Sequence, residues 1–265
     1  MRNVRAELSY AGGAFHGWQR QEGFGSVQEA LEDAVEAATG ARVVVHGSGR
    51  TDTGVHALRQ VASFHIETGL SDDRLRHALN AHLPEEAVVR RLETCRDEFH
   101  ARFDAVGKRY AYLTATARFR PPLGRDAMHW VCQSLDGEAM KRAANSLLGE
   151  HDFRVFSNSG SERATTVRTV RALRLVRRRE RFALVIEADG FLYNMVRIIA
   201  GTLIDVGRGR LDPDCVRAAL ETGRRELAGP TAPAVGLYLV RVRYAEPTFR
   251  GADCGPSGAP GLFGG

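Results

Sequence analysis

Between Gly47 and Gly54 the chain reads Gly-Ser-Gly-Arg-Thr-Asp-Thr-Gly, a polar turn that puts one carboxylate, Asp52, two residues from one guanidinium, Arg50. It is not a phosphate loop. The Lys-Ser/Thr pair is missing, and Gly47, Gly49 and Gly54 are not spaced as a dinucleotide fingerprint. An aspartate in such a turn ordinarily hydrogen-bonds its own backbone. With Arg50 beside it, the carboxylate can instead be held ionised for acid–base or nucleophilic work, or the arginine can contact a phosphate. A loop at the end of a strand is a usual place for a reacting group.

Three further features could serve such a site. Tyr110 and Tyr112 fall on one face of a strand, either as sheet aromatics or as a stacking platform for an unpaired base. Arg197 lies in a helical segment whose buried stripe reads Leu192, Met195, Val196, Ile199 and Leu203, and it sits about 140° around from Leu192. There it is either a solvated arginine or, flanked by Val196 and Ile198, a partly buried one that needs a carboxylate partner. Between Arg163 and Arg181 stand Arg163, Arg168, Arg171, Arg174, Arg177, Arg178, Arg179 and Arg181, opposed within the span only by Glu180. A charged turn is usually just solvated, but this density would track a phosphate backbone.

Other chemistries find little support. His77 and His82 are about 140° apart on a helix and share no face, and His46, His56 and His65 lack a metal-ligand frame, so no metal is expected. No Gly-x-Ser-x-Gly elbow marks a serine hydrolase. Cys95, Cys132, Cys215 and Cys254 have no Cys-x-x-Cys spacing and are expected to be reduced packing residues. Carboxylate, tyrosine and arginine remain as the working groups.

Composition agrees with that list. Of the 37 Lys+Arg, against 32 Asp+Glu, only Lys108 and Lys141 are lysines, so arginine carries the net charge of +5. That balance favours a polyanionic partner, although a bias in genome composition would give the same excess. With 43% hydrophobic and 26% charged residues the chain is globular in character. It has no apolar run near the roughly 18 residues of a membrane span, and its start lacks an apolar signal core, so a cytoplasmic location is expected.

The elements that must position these residues follow from periodicity. Val4 to Tyr10 alternates as a strand. A helix follows, capped by Ser26 with Glu29 three residues on, with Val27, Ala30, Leu31, Ala34 and Ala38 on one face, and Gly40 stops it. Arg42 to His46 reads as a buried strand before the Asp52 turn, and Gln60 to Glu67 as its partner. A helix opened by Ser71 or Asp72 and a strand from Ala87 to Leu92 complete the first half. The second half has a strand at Lys108 to Ala115, a helix at Leu135 to Leu148, and strands at Val167 to Val176 and Arg181 to Ala188. It continues with a helix at Leu192 to Val206, a short helix after Pro213 and a closing strand from Gly236 to Tyr244. Two mixed units without strict strand–helix alternation imply an α+β fold with largely antiparallel sheets. The expected division is 1–107 and 108–247, with an unstructured Gly- and Pro-rich tail over 248–265.

Several strings resemble, in order, the bacterial tRNA pseudouridine synthase A family. They are Tyr10-Ala-Gly-Gly-Ala-Phe-His-Gly-Trp-Gln19, Gly49-Arg-Thr-Asp-Thr-Gly-Val-His56, Lys108-Arg-Tyr-Ala-Tyr112, His151-Asp-Phe153, Phe191-Leu-Tyr-Asn-Met-Val-Arg197 and Gly236-Leu-Tyr-Leu239. The match runs from about Val4 to Tyr244. The resemblance implies two similar halves meeting around a basic cleft, a homodimer, no cofactor, and isomerisation of uridine to pseudouridine at positions 38, 39 and 40 in the anticodon stem-loop of tRNA. In that reaction the N1–C1′ bond breaks, the uracil turns, and C5 joins C1′. Asp52 matches the essential aspartate, acting as nucleophile at C1′ or as base at the 2′ proton. Arg50 matches the arginine that helps extrude the nucleotide. Tyr110 matches the tyrosine that stacks on uracil, and Arg197 the arginine that pairs with the aspartate. Thr53, in place of the usual alanine, and Gly190, in place of a larger residue, depart from the family pattern.

Overall fold

A computed structural model of the chain describes residues 1–158 and 165–249. Its elements are β1 (Arg2–Tyr10), α1 (Val27–Thr39), β2 (His46–Gly47), β3 (His56–Ile66), α2 (Asp72–His82), β4 (Ala87–Thr94), β5 (Ala105–Thr116), β6 (His129–Val131), α3 (Gly137–Asn145), β7 (Gly149–Asp152), β8 (Val167–Arg178), β9 (Arg181–Ala188), α4 (Met195–Gly207), α5 (Cys215–Thr222) and β10 (Leu237–Tyr244). The described residues form two compact units, 1–106 with 239–249, and Gly107–Tyr238. Each unit combines strands with helices, so the fold is α+β.

In the first unit the strand order is β4-β1-β3-β10. β1 is one of two inner strands, antiparallel to β3 and to β4, with Val4 opposite Phe64 and Ala6 opposite Ala62. Val4, Ala6 and Leu8 are fully buried, as their alternation predicts. The Ser26 hydroxyl caps α1 by accepting from the Glu29 N–H, and Gly40 ends the helix in the left-handed conformation. Val27, Leu31 and Ala34 are buried as periodicity predicts, but the buried face is turned to take in Gln28, Glu32 and Val35, whereas Ala30 and Ala38 are half-buried.

The strand expected at Arg42 to His46 is absent; only His46 and Gly47 pair, with Ser63 and Ala62 of β3. Val44 is 65% exposed and Val45 2%. The Val45 N–H donates to Glu32 Oε1 at 3.0 Å, so a helix carboxylate takes the place of a ladder partner. A run of three valines cannot reveal that exchange.

In the second unit the order is β5-β9-β8-β7, antiparallel throughout, with β6 parallel to β5. α4 is buried on nearly every side, with Ile198, Ile199, Thr202 and Leu203 inaccessible and only Arg197 and Asp205 half-buried. Its glycines permit close approach. A Cβ at Gly201 would fall 1.9 Å from the Pro230 carbonyl oxygen.

Cys95 is half-buried, Cys215 buried and Cys132 exposed, so Cys132 is not the packing residue expected; Cys254 lies outside the described residues. The tail expected to be unstructured begins at Thr248, yet Phe249 is buried, donates its N–H to Glu93 at 2.5 Å and lies under the Arg5 guanidinium. Residues 250–265 of that tail lie outside the described residues, as does Arg163.

Candidate active site

The Asp52 turn joins β2 to β3 and is held from beneath and from one side. Beneath it, Tyr10 Oη and Thr51 Oγ1 are hydrogen-bonded at 2.8 Å, both buried. Burial pushes the Tyr10 hydroxyl up to about 12, against hydrogen bonds from Thr51 and Gln60. Gln60, fully buried, donates to the Gly49 carbonyl at 2.9 Å and accepts from the Ser48 hydroxyl. The turn is therefore fixed on the N-terminal side of Asp52.

At its side runs the segment Gly12 to Gln19. The Gly12 N–H donates to His56 Nδ1 at 3.1 Å, and the Trp18 N–H to the Thr51 carbonyl at 3.0 Å. Two glycines make this approach possible. A Cβ on Gly12 would lie 2.1 Å from the Val55 carbonyl oxygen, and one on Gly17, whose φ is +88°, 2.6 Å from the Thr51 carbonyl oxygen. Asp52 is half-buried at the crest of this assembly, and its own carbonyl accepts from Val55 N–H. Main chain and buried polar groups, not the Asx turn alone, hold the carboxylate's backbone.

Arg50 shares the turn but is exposed, and its Nε donates to Gln19 Oε1 at 3.0 Å. Behind Gln19 stand Gln28 and Glu32, one turn apart on α1 and both buried. Sequence reasoning passed over this trio, together with Tyr10, Thr51 and Gln60. The signal for the pair was two polar side chains four residues apart, in step with Leu31 and Val35 on one helix face.

In the second unit, Tyr110 is 9% exposed and meets Phe191 edge-on at 5.0 Å between ring centroids. Tyr112 is the more deeply buried of the two. It is 2% exposed, donates to the Pro233 carbonyl at 2.9 Å, and burial holds its hydroxyl well above the ordinary range. Arg197, in the first turn of α4, donates from Nε to the Ala232 carbonyl at 2.8 Å and from Nη1 to Asn194 Oδ1 at 2.9 Å, while its own carbonyl accepts from Ala232. Asn194, just before the helix, takes a left-handed conformation at φ +60°. The guanidinium is thus fixed by its inner edge.

The basic residues divide by position on the β8–β9 hairpin. Arg177, Arg178 and Arg179 are exposed at its turn, where Arg179 is left-handed and Arg178 faces Arg181 across the ladder. Arg177 also covers the Phe182 ring at 5.4 Å. Arg171 is exposed further back along β8. Arg168 is at the far end of the strand and donates to the carbonyls of Thr165 and Val167. A Cβ on Gly190 would lie 3.3 Å from Arg168 Nε, so the small residue there makes room for that side chain.

An ionisable group on a braced turn, with an exposed cation beside it and an arginine-rich hairpin elsewhere in the chain, describes an enzyme that acts on a polyanion. Comparison with known proteins narrows the class. The family model for tRNA pseudouridine synthase matches residues 6–104 and 143–245. The chain is 46% identical over 244 residues to tRNA pseudouridine synthase A of Acetivibrio thermocellus and 44% identical over 244 residues to that of a Thermoanaerobacter species; each match covers 92% of this chain and 100% of the relative. The Maricaulis maris tRNA pseudouridine synthase A is 41% identical over 248 residues, covering 93% of this chain and all of the relative. This chain belongs to the tRNA pseudouridine synthase family, and its activity is the isomerisation of uridine to pseudouridine in tRNA.

Proposed function

We propose that the target uridines are those at positions 38, 39 and 40 of the anticodon stem-loop and that Asp52 is the catalytic residue. The observation that carries the reading is the bracing of the Asp52 turn. Buried Tyr10, Thr51 and Gln60 and the close approach of Gly12 and Gly17 hold a half-buried carboxylate at a fixed height. A group that must meet C1′ or the 2′ proton of one nucleotide needs that fixity.

Arg50 serves extrusion of the nucleotide, its exposed guanidinium suiting a phosphate or a vacated base position. Tyr110 offers its ring to the uracil, and Arg197 is the guanidinium that pairs with the catalytic carboxylate. Arg171, Arg177, Arg178 and Arg179 contact the RNA backbone, with Arg168 in support at the end of the strand. The enzyme works without a cofactor, as a homodimer in the cytoplasm.

The test is carbodiimide primer extension on tRNA from cells lacking this protein. Loss of the stops at positions 38 to 40, restored by the wild-type chain, is expected; unchanged stops there contradict the assignment. Free uracil in the reaction supernatant would instead identify a glycosylase.

A further inference from the structure

The Gly-Trp-Gln string ends on a residue to which the reaction assigns no task. Gln19 is half-buried and sits between Arg50 and the buried face of α1. The chain of hydrogen bonds starts at Glu32. Its carboxylate can only accept, and it does so from Val45 N–H and Gln28 Nε2 at Oε1, both at 3.0 Å, and from Arg20 Nη1 at Oε2 at 2.9 Å. Gln28 must therefore turn its amide nitrogen toward Glu32 and its oxygen away. That oxygen accepts from Gln19 Nε2 at 2.8 Å and from Arg20 N–H at 3.1 Å. Gln19 in turn has one orientation open, with Oε1 toward the Arg50 Nε at 3.0 Å. A buried carboxylate thus sets the direction of two amides and delivers a neutral acceptor to the inner edge of an exposed guanidinium.

We infer that Gln19 is a positioning residue for Arg50, holding the guanidinium by Nε so that its two Nη groups face the nucleotide being extruded. The inference rests on the role proposed for Arg50. An amide is the group this task requires. It restricts the arginine without neutralising it, whereas a carboxylate at the same place would pair with the charge meant for RNA. The same isosteric change would also set two acceptors face to face at Gln28 Oε1, since Gln19 would lose the N–H it donates there.

The experiment compares Gln19→Ala, Gln19→Glu, Arg50→Ala and the Arg50→Ala/Gln19→Ala double variant on tRNA transcripts, separating kcat from KM. Gln19→Ala keeps the arginine's charge, so kcat is expected to fall about tenfold while KM stays within about threefold of wild type. Gln19→Glu is expected to worsen both. In the Arg50→Ala background Gln19→Ala is expected to cost nothing further, because its whole effect passes through Arg50. A Gln19→Ala enzyme at wild-type kcat, or a loss that adds fully to that of Arg50→Ala, overturns the inference while leaving the role of Arg50 intact. Arg50→Ala at wild-type activity overturns both. If Gln19→Ala fails to fold, the isosteric Gln19→Glu decides alone, and wild-type kcat and KM in that variant refute the positioning role.

Discussion

Tyr10 Oη and Thr51 Oγ1 are 2.8 Å apart in a buried hydrogen bond one residue before Asp52. The bond joins the end of β1 to the Asp52 turn, so its removal tests whether the turn's bracing matters to turnover as well as to stability. Thr51→Val and Tyr10→Phe are each expected to cost about 1–2 kcal/mol in urea unfolding, because each leaves a buried hydroxyl or its partner short of a bond. The double variant should cost less than the two singles added together, since neither group then remains to be satisfied. Turnover on tRNA should fall in Thr51→Val more than unfolding at the assay temperature explains.

Gly17 takes φ +88° and faces the Thr51 carbonyl at a distance no side chain tolerates. Gly17→Ala combines left-handed strain with a clash against the turn backbone, at an expected cost of about 2–4 kcal/mol. Circular dichroism melts measure that loss directly. A substitution at Gly13, where an added Cβ meets nothing within 4 Å, is the matched control and should be close to neutral.

Asp152, within the His151-Asp-Phe153 string, predicts an acid limb to stability. Burial raises its pKa, but the Thr166 hydroxyl at 2.6 Å and the Arg154 N–H and guanidinium outweigh it, and the net displacement is downward from 3.8. A folded pKa below the unfolded value means the contribution is complete above 3.8 and is lost as pH falls through the folded value. Asp152→Asn should therefore be less stable than wild type at pH 7, by about 1 kcal/mol for weakened hydrogen bonds, and the gap should close at acid pH. Denaturant midpoints across pH 2 to 7 measure it.

The α+β class, the longer strands and the caps at Ser26 and Gly40 were legible from alternation and turn residues, because those signals are local; the short β6 and β7 were not. What escaped was set by contacts distant in sequence. The Val43–Val45 run reads as a strand, yet Glu32 draws the Val45 N–H out of any ladder and Val44 into solvent. Tyr110 and Tyr112 have the same period and both are buried, and the bond from Tyr112 to the Pro233 carbonyl, more than a hundred residues away, has no local signal. Asp52 and Arg50 could be named from their turn, but Gln19, Gln28 and Glu32 could not. A glutamine is unremarkable until the carboxylate that orients it is placed.

The hairpin arginines predict an electrostatic signature. Arg177, Arg178 and Arg179, clustered at the β8–β9 turn, are assigned to phosphate contacts, and each such contact steepens the dependence of binding on salt. Replacing all three by alanine is expected to flatten the slope of log affinity against log salt by about 2, with little change in kcat at saturating tRNA. Filter binding over a salt series checks it. Arg168→Ala should change the slope less, as that side chain is engaged with the Thr165 and Val167 carbonyls.

In the proposed reaction the Asp52 carboxylate performs the chemistry. Forming the C5–C1′ bond expels the C5 hydrogen, so tritium at C5 of the target uridine passes to water once per turnover. With tRNA tritiated at C5 of its uridines, the wild-type enzyme should release label, while Asp52→Asn should fall by at least about a thousandfold and still bind tRNA within about threefold of wild type. Release by a folded Asp52→Asn enzyme at the wild-type rate would contradict the account.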